Sequence, residues 1–219
     1  MGVMEETSGI LRDAARIGDA CVVAYSDGKD SRVVMDLCVR SFARVRGFFM
    51  ELVPDLECVE DALDAARRRW GVEIVRYPHW LAAKLVKNGI YCDASWRVDN
   101  LPEWKLADVY ALAMKDSGID VLATGAKRAD SGWRRRFMNT ARQNSVINPI
   151  AGWVKYDVVS YLKARGIPLP PSSGHSATGI DLSTPSLLWL HDTYPDDFKR
   201  LCEFFPYAEA VVWRRKFYG

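Results

Sequence analysis

The sequence predicts an α/β fold, a doubly wound parallel sheet of five strands with helices on both faces and a C-terminal helical extension. Three observations support this prediction. Short apolar runs alternate with stretches of helical spacing as far as residue 166, glycine or proline closes most of these segments, and a Pro/Ser/Gly-rich connector follows at 167–174. In such sheets ligands bind outside the carboxyl ends of the strands. We therefore expect a site at that edge.

The strands are predicted from apolar or β-branched runs that end at a turn signal. Proline closes the second run at Pro54 and the third at Pro78, because it cannot donate to a sheet ladder. The five runs are 20–25, 47–53, 72–77, 119–124 and 146–148.

The helices are predicted from apolar residues spaced three and four apart. Gly71 and Gly166 are expected just beyond two helix ends, where glycine is common, and Asn88-Gly89 is expected to stop a third. Residues 90–101 look irregular. The predicted helices are 7–17, 29–43, 57–70, 79–88, 102–117 and 154–165.

The connector at 167–174 suggests two units, an α/β nucleotide-binding domain at 1–168 and a helical extension at 169–219 that packs on it. Thr184-Pro185 and Pro195 are expected to begin helices, since proline is favoured in a first helical turn. The extension is rich in aromatic residues: Trp189, Phe198, Phe204, Phe205, Tyr207 and Trp213.

Composition excludes several classes of protein. The chain has 219 residues, 49% of them hydrophobic, which suits a packed core, and its net charge of +2 gives no support to nucleic-acid binding. There is no apolar run long enough to cross a membrane and no basic, apolar leader, so we expect a cytoplasmic protein with no membrane association. Five scattered cysteines indicate reduced thiols, and three histidines lack the spacing of a zinc site.

The turn after the first strand carries the strongest functional signal, Ser26-Asp27-Gly28-Lys29-Asp30-Ser31. A turn there presents unpaired backbone N–H groups at a helix N-terminus, which is a natural seat for a phosphate. Gly28 lets the backbone approach an anion, and Lys29 neutralises it. The alternative is that Ser26 and Asp27 merely cap the helix.

This turn lacks the spacing of a Walker A loop. It resembles the PP-loop, Ser-x-Gly-Lys-Asp-Ser, of the ATP-pyrophosphatase superfamily, and that resemblance implies an adenine nucleotide alpha hydrolase-like fold that uses ATP and Mg²⁺. It further implies that the hydroxyls of Ser26 and Ser31, the amides from Gly28 onward and the Lys29 ammonium hold the β- and γ-phosphates. Asp30 would help to hold Mg²⁺ or orient the turn.

A second segment, Thr124 to Arg134, follows the fourth predicted strand. From Gly125 it resembles the Gly-x-[Arg/Lys]-Arg-x-x-Ser-x-x-Arg pattern of the phosphoadenosine phosphosulfate (PAPS) reductase family. The resemblance implies that Lys127, Arg128 and Arg134 contact phosphate or sulfate groups of the nucleotide, and that Ser131 supplies a turn or ligand hydroxyl. The alternative is a solvated basic loop.

A third stretch, from Asn148-Pro149-Ile150 through Trp153, Asp157 and Tyr161, is similar to one found in the sulfate-assimilation branch of PP-loop proteins. That branch holds the PAPS reductases, the small subunit of sulfate adenylyltransferase and sulfur-transfer proteins of DNA phosphorothioation. These residues are expected to be mostly structural.

Thiol-dependent reductases of the family carry a C-terminal Glu-Cys-Gly-x-His motif, and iron–sulfur reductases carry paired cysteines, whereas this sequence shows neither. Cys202 is expected to be buried and inert. We therefore expect an adenylyl transferase or ATP pyrophosphatase, with Lys29, Asp30, Arg128 and Arg134 carrying the catalysis. Two alternatives remain: a PAPS reductase that uses Cys202 or a partner's thiol, and a nucleotide-binding subunit of a larger assembly or homodimer.

Overall fold

The central element of the fold is a five-stranded, all-parallel sheet in the order β3-β2-β1-β4-β5. The structure is a computed structural model, which describes residues 2–93, 102–138, 145–170 and 182–218. The predicted fold class is confirmed. The strands are β1 (Ala20–Ala24), β2 (Arg44–Glu51), β3 (Glu73–Pro78), β4 (Leu122–Ala123) and β5 (Val146–Ile147).

Helices connect these strands and continue beyond the last of them. The helices are α1 (Val3–Ala14), α2 (Lys29–Val39), α3 (Glu57–Trp70), α4 (Ala82–Lys87), α5 (Leu106–Ser117), α6 (Gly132–Phe137), α7 (Lys155–Ala164), α8 (Thr184–Thr193), α9 (Pro195–Phe204) and α10 (Glu209–Tyr218). Short 3₁₀ turns lie at Arg128–Asp130 and Pro206–Ala208. In the part of the chain that the structure describes, none of the helices has the length and apolar character that crossing a bilayer requires.

The sheet is covered on both faces, as its strand residues show. Alternate side chains of β1 point to opposite faces. Cys21 and Val23 belong to a large core cluster with α2, α3 and α7, whereas Ala20 and Val22 pack with Val109 of α5 in a smaller cluster. The near-continuous apolar run of β1 is therefore that of a strand buried on both faces.

The strand order places a topological switch point between β1 and β4. The chain runs outward from β1 to β2 and β3, then returns to add β4 on the other side of β1. The loops that leave β1 and β4 therefore lie next to each other at the carboxyl edge of the sheet, which is where open α/β sheets bind ligands. These loops are the two segments singled out from the sequence.

Several element boundaries differ from the sequence prediction. Strand β2 begins at Arg44, three residues before the predicted run, because Arg44 pairs with Ala20 of β1. The first residues of β2 are charged and partly exposed, so they lack the apolar pattern from which strands were predicted. Strand β4 keeps only two residues of the predicted 119–124, and α2 ends at Val39, four residues early. Helix α6 lies in a segment for which no helix was predicted. Residues 94–101 of the predicted irregular stretch and 171–174 of the connector lie outside the described residues.

The C-terminal helices pack against the α3 side of the sheet. Leu187 and Leu190 of α8 and Leu201 of α9 are fully buried in the large core cluster. Helices α8 and α9 begin at Thr184 and Pro195, so both predicted starts are confirmed.

One carboxylate of α9 caps α3. The two oxygens of the buried Asp197 accept hydrogen bonds from the backbone N–H groups of Glu57 and Cys58, each at 2.8 Å. Arg200 donates to the carbonyl of Pro54 at 2.8 Å. Together these bonds fix the loop between β2 and α3, which lines the crevice described next.

Candidate functional site

The turn between β1 and α2 is held in shape by Ser31. Its hydroxyl donates to the carbonyl of Gly28 at 2.9 Å and accepts from the N–H of Ser26 at 3.2 Å. Asp27 adopts the left-handed conformation, with φ of 57°, which aspartate tolerates better than most residues. Helix α2 then starts at Lys29 with Gly28 in the N-cap position.

Asp27 is a structural residue of this turn. Its carboxylate accepts a hydrogen bond from the Tyr25 hydroxyl at 2.8 Å and binds the Arg32 guanidinium through both oxygens, at 2.8 and 2.9 Å. Burial raises the pKa of Asp27, although Arg32 and the Tyr25 hydrogen bond act against it. Neither Ser26 nor Asp27 caps α2 in the described structure. The first amides of α2 thus keep the anion-binding character expected of a helix N-terminus.

The loop after β4 lies directly against this turn. Thr124 anchors it by donating to the Asn148 side-chain oxygen at 2.6 Å and accepting from the Ala126 N–H at 3.2 Å. A Cβ added to Gly125 would lie 3.2 Å from Cβ of Asp30 and 3.4 Å from the N of Ser31. Glycine is required here by the close approach of two backbones.

Replacing Gly125 with Ala is expected to destabilise the protein by about 1–3 kcal/mol, because backbone atoms of α2 must give way. Gly132→Ala is the matched control, since a Cβ there meets nothing within 4 Å and the residue begins a helix. That control should change the free energy of unfolding by no more than about 0.5 kcal/mol, as is usual for substitutions at exposed positions. Urea unfolding midpoints measure both, and a neutral Gly125→Ala would contradict the close contact.

A chain of alternating charges joins the two loops. The Lys127 ammonium lies 2.6 Å from Oδ2 of Asp30 and 3.1 Å from Oδ1 of Asp130. Lys29 approaches the same Asp30 oxygen at 3.2 Å, and Arg134 binds Oδ2 of Asp130 at 2.7 Å. Three positive and two negative groups leave a net charge of +1. The Lys127 side chain is only 5% exposed, so this contact is largely shielded from solvent.

The ion pairs of Asp130 determine its ionisation state. Burial alone would raise the pKa of Asp130, but hydrogen bonds from the Lys127 N–H and ammonium, with the Lys127 and Arg134 charges, lower it on balance. Asp130 therefore stays ionised at neutral pH.

The other oxygen of Asp30, Oδ1, fits a metal-binding role. It is buried and makes no hydrogen bond in the described structure. Mg²⁺ is commonly bound by one or two carboxylates together with substrate phosphates. No group of three or more His, Cys, Asp or Glu side chains could hold a metal ion within the described ranges. The residues present thus fit a cation delivered with phosphates rather than a metal held by protein ligands alone.

Two residues predicted to contact the nucleotide have other partners in the structure. Nη2 of Arg128 binds both carboxylate oxygens of Glu6 in α1, at 2.7 and 2.8 Å. The Ser131 hydroxyl accepts a hydrogen bond from the Arg134 N–H at 3.1 Å and caps α6. The sequence could not reveal the first pairing, because Glu6 and Arg128 are 122 residues apart.

A cleft of about 650 Å³ extends from these two loops across the ends of β2 and β3. Its lining includes polar or charged residues, namely Ser26, Ser31, Asp30, Asp130 and Arg134, together with Gly125. It also includes apolar and aromatic residues, among them Phe49, Leu52, Val53, Leu56, Trp80 and Tyr110. A mixed lining of this kind suits a ligand that carries both an anionic group and a flat apolar ring.

The sequence analysis assigned no role to Glu51 and His79, which line this cleft. The ends of β2 and β3 place both residues at the cleft. The N–H of His79 donates to the carbonyl of Glu51 at 2.8 Å, beside the last residue pair of the β2–β3 ladder. Burial raises the pKa of Glu51 despite the nearby Arg76, and burial lowers the pKa of His79. His79 is thus expected to be neutral at pH 7.

Cys202 in α9 is half-buried. Burial, with the nearby Glu209 carboxylate, raises its pKa to about 11. A thiol in this environment is a poor nucleophile at neutral pH.

Comparisons with known proteins agree with this architecture. A family model of the phosphoadenosine phosphosulfate reductase domain matches residues 20–172. Sulfate adenylyltransferase subunit 2 from Mycobacterium sp. (strain JLS) is 27% identical over 195 residues, which cover 75% of this chain and 61% of that protein. The chain therefore spans less than two thirds of that relative's length.

Two solved structures share the fold. PAPS reductase from Candida auris, in a phosphate complex, aligns with a TM-score of 0.53 and 16% identity, over 79% of this chain and 87% of that one. NH3-dependent NAD synthetase from Campylobacter jejuni subsp. jejuni NCTC 11168, in complex with nitrate, aligns with a TM-score of 0.50 and 13% identity, over 99% and 96%. At these identities the likeness is one of fold alone.

Proposed function

This chain belongs to the phosphoadenosine phosphosulfate reductase domain family, and we propose that it binds ATP in the cleft and transfers the adenylyl group to an acceptor oxyanion. One observation carries this proposal. Two loops that carry basic side chains meet at the switch point of the sheet, where Asp30 keeps one buried oxygen without a hydrogen bond. The matched relative is named as an adenylyltransferase subunit, which supports the same chemistry.

The proposed reaction is a displacement at the α-phosphorus. An acceptor oxygen forms a bond to that phosphorus, the bond to the bridging oxygen of the β-phosphate breaks, and pyrophosphate leaves with the electron pair. The α2 amides and the Lys29 ammonium stabilise the negative charge that collects on the leaving pyrophosphate. Arg134 lines the cleft and would stabilise charge on the α-phosphoryl group or the acceptor. Positioning and charge stabilisation are sufficient for such transfers.

Mg²⁺ would be held by Oδ1 of Asp30 and, when bound, would neutralise part of the phosphate charge. The base would lie against aromatic side chains of the cleft lining, such as Phe49 or Tyr110.

A reductase that uses Cys202 is disfavoured, because the raised pKa of that thiol leaves little thiolate at neutral pH.

The proposal includes binding to a partner protein. Trp213 and Phe217 stack on each other on α10, 5.7 Å apart, and are 52% and 66% exposed, which suits a docking surface. The sulfate adenylyltransferase relative is itself named as a subunit.

The test is to measure thermal stabilisation by ATP with Mg²⁺, by AMP and by PAPS, alongside pyrophosphate release. A ligand at 100 times its Kd stabilises the folded form by about 2.7 kcal/mol, which corresponds to roughly 5–10 °C in Tm for a chain of this size. We expect ATP with Mg²⁺ to give the largest shift. A larger shift with PAPS would instead favour sulfonucleotide reduction. Binding of ATP without pyrophosphate release by the isolated chain, with sulfate supplied as the acceptor oxyanion, would assign turnover to a complex.

A further inference from the structure

Lys127 is poorly placed to bind phosphate itself. Its side chain is 5% exposed and its ammonium is shared by the carboxylates of Asp30 and Asp130. It does not line the cleft, whereas Asp30, Asp130 and Arg134 do. A buried lysine whose charge is already neutralised by two carboxylates attracts an incoming phosphate only weakly.

The contact that Lys127 makes does orient Asp30. It holds Oδ2 at 2.6 Å, while Lys29 approaches the same oxygen from the turn at 3.2 Å. Oδ1 of the same carboxylate is left buried and without a hydrogen bond. The ammonium groups of Lys127 and Lys29 therefore both contact Oδ2 of Asp30, and Oδ1 is left able to bind another group.

The position of Lys127 is itself fixed. Asp130 accepts a hydrogen bond from the backbone N–H of Lys127 at 3.0 Å and pairs with its ammonium at 3.1 Å. Arg134 and the 3₁₀ turn at Arg128–Asp130 hold Asp130 in place. Gly125 brings this whole loop against the first turn of α2.

We propose that Lys127 and Asp130 are positioning residues, which hold Asp30 so that its Oδ1 faces a divalent cation bound to the nucleotide phosphates. This inference rests on the proposed function. It reassigns Lys127, which the sequence resemblance treated as a phosphate ligand. Groups that orient a metal ligand in this way commonly account for 10- to 100-fold in metal affinity.

The test is a calorimetric titration with α,β-methylene-ATP, which binds without turnover, once with Mg²⁺ and once with EDTA. The variant is the double substitution Lys127→Met and Asp130→Asn, which removes one positive and one negative charge and so keeps the local net charge. We expect affinity with Mg²⁺ to fall by about 10-fold or more. Affinity with EDTA should be unchanged, because Lys29, the loop amides and the serines remain.

The other outcomes overturn the inference in distinguishable ways. An equal loss with Mg²⁺ and with EDTA would make Lys127 a phosphate ligand. A lower Tm of the free protein with both affinities unchanged would make the pair purely structural. Wild-type protein that binds the analogue under neither condition would overturn the proposed function together with this inference.

A matched control separates loss of stability from loss of positioning. Arg165→Met removes a cation from the buried Asp36 carboxylate, 3.0 Å away, and neither of these residues lines the cleft. This variant should lower the Tm of the free protein and leave both affinities at their wild-type values. Lys127→Arg, which keeps the charge, should retain more Mg²⁺-dependent affinity than the double variant.

Discussion

Replacing Lys29 with Met is expected to weaken ATP binding by about 10- to 100-fold, since a charge-assisted hydrogen bond contributes about 1.5–3 kcal/mol. Lys29 is the first residue of α2, and its side chain is 21% exposed at the turn that follows β1. Its ammonium would act there together with the helix amides. The same substitution should slow pyrophosphate release by about 100-fold or more, because charge on the leaving group would lose a fixed donor.

The control for this prediction is Lys155→Met. Lys155 is also the first residue of a helix, α7, and is exposed. If a lysine at any helix start had the same effect, both variants would lose affinity to a similar degree. We expect Lys155→Met to match the wild type in titrations with ATP and Mg²⁺, and an unchanged Lys29→Met would remove Lys29 from the proposed site.

The second large effect is expected on stability, from Asp197→Ala. The buried Asp197 carboxylate accepts two backbone hydrogen bonds at the N-terminus of α3, both at 2.8 Å. Its removal leaves two N–H groups without partners and removes a negative charge from a helix N-terminus. We expect a loss of about 3 kcal/mol, and hence a drop in Tm of roughly 6–12 °C.

Asp196→Ala is the matched control for Asp197→Ala. Asp196 is the neighbouring residue, its side chain is 88% exposed, and its partner is Lys199 in an exposed ion pair. Such pairs contribute little, so the Tm should stay close to that of the wild type. Similar Tm values for the two variants would show that the cap of α3 does not depend on Asp197. Because the capped helix follows the cleft loop, Asp197→Ala should also weaken ATP binding.

Much of the fold could be predicted from the sequence, because the signals for it are local. The apolar run of β1, the polar turn and the amphipathic α2 are contiguous, and Gly71 ends α3 in the left-handed conformation as expected. Boundaries were less predictable where pairing overrides local pattern. Strand β2 starts at a charged residue because β1 lies beside it, and β4 pairs with β1 and β5 over only two residues.

The candidate site was only partly visible in the sequence. The two segments could be named, since both follow strands whose ends share one edge of the sheet. The partners of their charged side chains could not. Asp27 binds Arg32, Arg128 binds Glu6, and Lys127 joins the carboxylates of Asp30 and Asp130.

The sequence by itself determined the sheet, its helices and the two loops, because hydrophobic periodicity and turn chemistry depend on neighbours along the chain. Only the tertiary structure decided which cations neutralise which carboxylates, and so which oxygen of Asp30 is left without a hydrogen bond. It also decided that α9 caps α3. Ion pairing falls off with distance in space and is indifferent to distance in sequence, so it follows from the fold and not from the motif.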